Sequence, residues 1–370
     1  MKYPVFEPDF GEAEIAAVTS AMRRGEISGV FGKSISQFEE AFASYCGVGH
    51  GVAVSNGTVA LQLAARVAGL GPGDEVLVSA CTNVASALAV FYNGAITIPV
   101  DACPRTWNLD LGLLEGLITP RTKAIIAVHF LGNPVDMPRL MEIAERHGLK
   151  VIEDCAEAHG AEWQGRKVGS FGHLACFSFL SNKVITTGEG GMVLTRDAGM
   201  AEQLRYLRSL AFGKIRFYHE EAGYNFRLTS MQAAMGVVQV GRLEEIIGKK
   251  IDLYRRYQKR LASIRGIRLV QEPKNGRHVH WMVGLRLDHE FGISRDCLRE
   301  RLTALGVDTR TFFCPMNQQP FLNRQSGNRK VSCPVADEMW EDGFYLPSST
   351  SLTDADLDFI TGAIGAKAKT

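Results

Sequence analysis

One lysine in this sequence stands where chemistry can be done. In Phe177-Ser178-Phe179-Leu180-Ser181-Asn182-Lys183 an apolar, strand-like run gives way to a polar loop, and Thr186-Thr187-Gly188-Glu189-Gly190-Gly191 follows as a Gly-rich turn. A lysine partly out of water and near other charges has a lowered pKa and can act as nucleophile and proton carrier. Read alone, Lys183 is an ordinary solvated loop charge. Two clusters precede it. Ser55-Asn56-Gly57-Thr58 ends one apolar run and opens a helical pattern. A helix N-terminus offers free N–H groups to a phosphate, Gly57 allows close backbone approach, and Thr58 adds a hydroxyl. Ordinary N-capping would use the same residue types. Lys150-Val151-Ile152-Glu153-Asp154 ends another run with two adjacent acids. Side chains alternate across a strand, so only one of the two can face a given ligand.

The elements that must position these clusters are legible between residues 50 and 200. Seven short apolar runs, at 50–55, 74–80, 95–101, 122–130, 149–155, 173–179 and 190–195, alternate with helical patterns such as 58–68, 84–92 and 137–148. This predicts an α/β fold, a mostly parallel seven-stranded sheet flanked by helices, with ligands outside the carboxyl ends of the strands. A long helical stretch from 232 to 264 then leads into a strand-like HVHWMVGLRL, a helix-like SRDCLRERLTALG and a segment rich in Pro and Asn. We therefore expect a large domain over 1–247 and a smaller α+β C-terminal domain over 248–370.

Composition narrows the function classes. The 41 basic and 40 acidic residues leave a net charge of +1, and no basic face argues for nucleic acid. No apolar run reaches the roughly 20 residues of a membrane span, and the charged N-terminus does not read as a signal peptide. The expectation is a cytoplasmic enzyme acting on a small molecule. Eight scattered cysteines read as buried free thiols. His278 and His280 would share one strand face, but no third ligand accompanies them, so no metal is expected.

A carboxylate beside the pyridine nitrogen of pyridoxal 5'-phosphate keeps that nitrogen protonated and makes the ring an electron sink. The order of a phosphate loop, an acid, and then a serine and a lysine, each at a strand end, suits that cofactor. With this order, and with Glu153-Asp154-Cys155-Ala156-Glu157-Ala158-His159-Gly160 and Gly223-Tyr224-Asn225-Phe226-Arg227, the sequence resembles the nucleotide-sugar aminotransferases of the aspartate aminotransferase superfamily. The likeness runs from about residue 4 to 360 and implies the fold type I arrangement. Carried onto matching positions, it implies that Lys183 is the Schiff-base lysine, Asp154 the pyridine partner and Ala156 a surface beneath the ring. Gly57, Thr58 and Ser178 would hold the phosphate, and Glu157 would lie near the 3'-hydroxyl. Asn225 would reach the phosphate of a neighbouring subunit, which requires a homodimer with shared active sites.

The resemblance further implies L-glutamate as donor, pyridoxamine 5'-phosphate as the intermediate cofactor form, and C4 of a GDP-linked 4-keto-6-deoxyhexose as acceptor. Two positions depart from the family pattern. Asn83 stands where an aromatic usually stacks on the cofactor, and Asn317 where histidine is common. Asn317 and Arg310 are the candidate substrate residues. A 3-keto nucleotide sugar or a cyclitol ketone is the alternative acceptor, and a non-catalytic pyridoxal phosphate-binding regulator is the alternative from another class. The related sugar 3-dehydratases carry histidine in place of the lysine.

Overall fold

The computed structural model describes residues 1–215 and 217–366. All seven apolar runs become strands of one sheet: β1 (His50–Val54), β2 (Glu75–Ser79), β3 (Ile96–Val100), β4 (Thr122–Val128), β5 (Lys150–Asp154), β6 (Leu174–Ser178) and β7 (Gly191–Thr195). Their order is β1-β7-β6-β5-β4-β2-β3. Only β7 runs against the rest, pairing antiparallel with β1 and β6. The other neighbours pair in parallel.

The strands read as continuous apolar runs because helices cover both faces of the sheet. These are α1 (Glu12–Arg23), α2 (Ser34–Cys46), α3 (Gly57–Val67), α4 (Ala85–Tyr92), α5 (Met137–Arg146) and α6 (Ala198–Arg208). On one face Val52, Val76, Ile126 and Cys176 pack with Ala60, Leu61 and Ala64 of α3. On the other, Leu77, Ile98, Ile125 and Val151 pack with Leu140 and Ile143 of α5. Loop chemistry starts and stops these helices. Asn56 accepts from the Val59 N–H to begin α3, and Asp136 accepts from Arg139 N–H to begin α5.

The long helix α7 (Ser230–Leu261) begins with a capping box between Thr229 and Gln232. It packs on α1 and α2 and, further along, on α10 (Asp354–Gly365), so the division expected at 247/248 falls inside it. Beyond it, β8 (Ile267–Leu269), β9 (Val283–Leu287), β10 (Arg310–Thr311) and β11 (Gly343–Leu346) form an antiparallel sheet ordered β8-β9-β11-β10. The helices α8 (Arg295–Ala304) and α9 (Pro334–Asp342) complete this part. Residues 278–281 do not join β9 as the alternation suggested. His280 has φ 49°, a left-handed conformation that breaks the strand. The His278 and His280 rings still meet, with centroids 3.7 Å apart, and His280 stacks on Tyr254. Burial pushes the His280 ring down to about 3, so it is neutral. All eight cysteines are unpaired, and five are buried.

The acidic pair is divided as strand alternation requires. Glu153 turns away from the end of the sheet, fully buried. It accepts from the Phe171 and Gly172 N–H groups at 2.8 and 2.7 Å, from the Gly169 N–H at 2.8 Å, and faces His129 Nε2 at 3.2 Å. His129 Nδ1 accepts from the Val135 N–H, which leaves the ring proton on Nε2 for Glu153. Burial works to raise the Glu153 carboxyl, but His129 and these N–H groups outweigh it and hold it below the usual range. Cys155 lies close enough for the three to resemble a metal cluster, yet the nitrogen and oxygen atoms are committed to hydrogen bonds. Glu153→Ala should therefore cost about 3–5 kcal/mol, because the N–H groups and the imidazole lose a buried acceptor. Urea unfolding at pH 7 measures this. A carboxyl held low contributes stability above the ordinary carboxylate range and loses it as pH falls through its folded pKa. The gap between wild type and variant should accordingly shrink in acid, and a gap under 1 kcal/mol at pH 7 would refute the assignment.

Candidate active site

Because β5 and β6 run in parallel, their carboxyl ends open on the same side, beside the N-terminus of α3. A cavity of about 460 Å³ lies there, lined by Gly57, Thr58, Asn83, Asp154, Ala156, Glu157, Ser178 and Lys183. Eight expected site residues, far apart in sequence, thus share one cavity of ordinary small-molecule size. Gly57 is required by close approach: a Cβ on it would lie 2.7 Å from Ser178 Cβ. Without that side chain the first turn of α3 sits against the end of β6, and Gly57, Thr58 and the Ser178 hydroxyl form one polar end of the cavity.

Asp154 points into the cavity from β5, only 4% exposed. Its Oδ2 accepts from Ser86 Oγ at 2.7 Å, and its Oδ1 accepts from the Ala156 N–H at 3.1 Å. Ser86 Oγ lies 3.1 Å from Thr82 Oγ1. The sequence reading missed both hydroxyls. The available signal was Ser86 itself, the one serine in the apolar helical pattern of α4. Asn83 lines the cavity, but its Oδ1 accepts from the Ala85 N–H and so shapes the turn into α4.

Lys183 is half-buried, and burial lowers its amine while Glu157 and Asp154 work in the opposite direction. Glu157 accepts from the Leu131 N–H at 2.8 Å, and burial pushes its carboxyl up to about 7. His159, packed edge-on against Phe177 and Phe179, is held neutral by burial, at about 3, with the nearby Lys183 charge adding to the effect. Trp281, also missed in the sequence, places its ring 4.1 Å from Lys183 Nζ. Its distance along the chain left no local signal.

The remaining candidates lie elsewhere. Asn225 is exposed, bridged to Ser209, and does not line this chain's cavity. Arg310 is exposed on β10 opposite Tyr345. Asn317 borders a different cavity, of about 570 Å³, and its amide is committed to Asp337 at 3.0 Å. Neither Arg310 nor Asn317 lines the Lys183 cavity.

The cavity fits pyridoxal 5'-phosphate: hydroxyls and a helix N-terminus at one end, a buried carboxylate at the other, and a desolvated amine between carboxylates. The description of the DegT/DnrJ/EryC1/StrS aminotransferases matches residues 8–365. The chain belongs to this family. It is 44% identical over 337 residues to the GDP-perosamine synthase of Caulobacter vibrioides, covering 90% of each chain. The GDP-perosamine synthase of Escherichia coli O157:H7 is 36% identical and covers 98% of each. Among solved structures, Spr1654 of Streptococcus pneumoniae in its PMP form superposes with a TM-score of 0.91 at 26% identity, covering 99% of this chain and 97% of that one. As a member of this family the chain is a pyridoxal 5'-phosphate-dependent aminotransferase. Among the described residues no helix is long and apolar enough to cross a membrane.

The raised Glu157 carboxyl has a measurable consequence in cofactor-free protein. A carboxyl raised by folding contributes stability that is complete below its unfolded pKa and is lost as pH rises through about 7. Glu157→Gln, neutral throughout, should remove that loss and leave the apoprotein about 1–3 kcal/mol more stable than wild type at pH 8. Denaturation of both apoproteins at pH 5 and pH 8 gives the comparison. Identical pH slopes would show that Glu157 is not a strained buried charge.

Proposed function

We propose that this enzyme moves the amino group of L-glutamate to C4 of a GDP-linked 4-keto-6-deoxyhexose. The observation that carries the substrate class is the 44% identity, over 90% of both chains, to the Caulobacter GDP-perosamine synthase. When bound, pyridoxal 5'-phosphate supplies an electron sink for the electrons released at the donor's Cα. In this reading Gly57, Thr58 and Ser178 bind its phosphate, and Ala156 packs beneath its ring. Asp154 holds the proton on the ring nitrogen, and Ser86 fixes the carboxylate that does so. Glu157 lies beside the 3'-hydroxyl. Lys183 forms the covalent link, and once released its Nζ takes a proton from the donor's Cα and later delivers one to C4 of the sugar. A half-buried amine with a lowered pKa can perform both transfers near neutral pH.

Asn225 is exposed and does not line its own chain's cavity, which supports a role in a neighbouring subunit's site. The working unit would then be a homodimer with shared active sites. The second reading, amination of a 3-keto sugar, is favoured by relatives such as the dTDP-3-amino-3,4,6-trideoxy-alpha-D-glucose transaminase of Streptomyces venezuelae, 39% identical over 307 residues.

Borohydride reduction of the holoenzyme followed by peptide mapping should place the pyridoxyl group on Lys183. Unreduced holoenzyme should convert GDP-4-keto-6-deoxymannose with a higher specificity constant than the dTDP-linked glucose-derived ketone. Label on Lys167 or Lys214 would refute the lysine assignment, and preference for the dTDP sugar would refute the nucleotide. For the dimer, subunit exchange between inactive Lys183→Ala and inactive Asn225→Ala proteins should restore part of the activity, since one hybrid site then carries both native residues. No recovery after demonstrated exchange would remove Asn225 from a shared site.

A further inference from the structure

The geometry points to Trp281 as the dock for the Lys183 amine whenever that amine is not bonded to the cofactor: a positioning residue that holds Nζ and favours its ammonium form. This rests on Lys183 being the reacting lysine. Lys183 Nζ lies over the Trp281 ring, 4.1 Å from its centroid. An indole face attracts a cation through its quadrupole, most strongly where water is excluded, and Trp281 is only 1% exposed.

The ring is fixed from several directions. Its Nε1–H donates to the Asn182 carbonyl at 2.6 Å, so Trp281 grips the residue immediately before the lysine. Its backbone N–H donates to the Leu131 carbonyl at 3.0 Å. Its carbonyl accepts from Lys250 Nζ at 3.1 Å, and that buried lysine, on α7, also donates to the Ser348 carbonyl at 2.6 Å. Tyr345 of β11 flanks the indole, with ring centroids 6.0 Å apart. Trp281 is thus tied to α7 and to the C-terminal sheet, while the lysine it contacts lies in the loop that follows β6.

Burial works against the ammonium form of Lys183, and Glu157 and Asp154 favour it. His159, held neutral, adds no charge of its own. The indole adds a third favourable contact that costs no second buried charge. A lysine carrying a proton between two carbon atoms needs a defined place while it holds that proton, and the Trp281 face supplies one beside the cavity.

The test is the titration midpoint of Lys183 in holoenzyme incubated with excess L-glutamate, read by competitive acylation against pH and mass spectrometry of the Lys183 peptide. In Trp281→Leu the midpoint should fall by about one unit, a roughly tenfold rise in the ratio of amine to ammonium at a given pH. Trp281→Phe, which keeps a ring, should shift it by less. A variant cavity that merely admits reagent would raise acylation at every pH and leave the midpoint in place. An unchanged midpoint in folded Trp281→Leu would overturn the proposal. Should that variant fail to fold, lysine-labelled wild-type enzyme decides: the Lys183 ε-methylene protons should be shifted upfield by the indole ring current, and ordinary shifts would overturn it. Because the midpoint is read at Lys183 whether or not pyridoxyl maps there, failure of the dock and failure of the lysine assignment give different results.

Discussion

A half-buried amine within the field of two carboxylates and against an aromatic face is the interaction on which the rest of this structure depends. Removing Lys183 from water disfavours its charge, and Glu157 and Asp154 partly restore it. Such a balance survives only if the groups stay where they are, since a small displacement in a poorly screened site changes every interaction. The sheet meets that demand. Parallel strands deliver Asp154 and Ser178 to the same edge, and Gly57 lets the amino end of α3 press against that edge. The result is a cavity whose charge varies along its length, from helix N-terminus to buried carboxylate.

The adjacent acids illustrate how one strand serves two purposes. Glu153 and Asp154 differ by a single step of the pleat, yet one organises the Gly169–Gly172 turn and the other faces the cavity. Glu153 is saturated by three N–H donors and His129, all of them outside the cavity lining. Ser86 then places its hydroxyl on Asp154 from α4. A bond to a charged acceptor is among the stronger hydrogen bonds, and it removes rotational freedom from the carboxylate.

Most of the sheet was legible because its strands are buried on both faces, which turns each into a short run of Val, Ile, Leu and Ala between turn residues. The cavity residues that follow those runs were legible for the same reason. What escaped was contact between distant segments. Trp281 reaches Lys183 across 99 residues to the neighbouring Asn182, and no period or motif encodes that approach. The strand expected through His278 and His280 failed for a related reason. Alternation predicted their shared face, but the backbone turns left-handed at His280, where that ring's stacking on Tyr254 and the His278 contact with the Leu131 carbonyl outweigh strand propensity. Asn317 was placed by position in a motif, and its bond to Asp337, on another helix, could not be read from that motif.

Asn83 shows what a departure from family pattern can mean physically. An aromatic there would add about 0.5–1.5 kcal/mol of stacking against a bound ring. Asparagine instead folds back on its own backbone, accepting from the Ala85 N–H at 3.0 Å in the turn that starts α4. Ser86 follows in the first turn of that helix, and its hydroxyl meets Asp154 at 2.7 Å. The position has therefore exchanged contact with the face of the ring for support of the helix that holds the carboxylate.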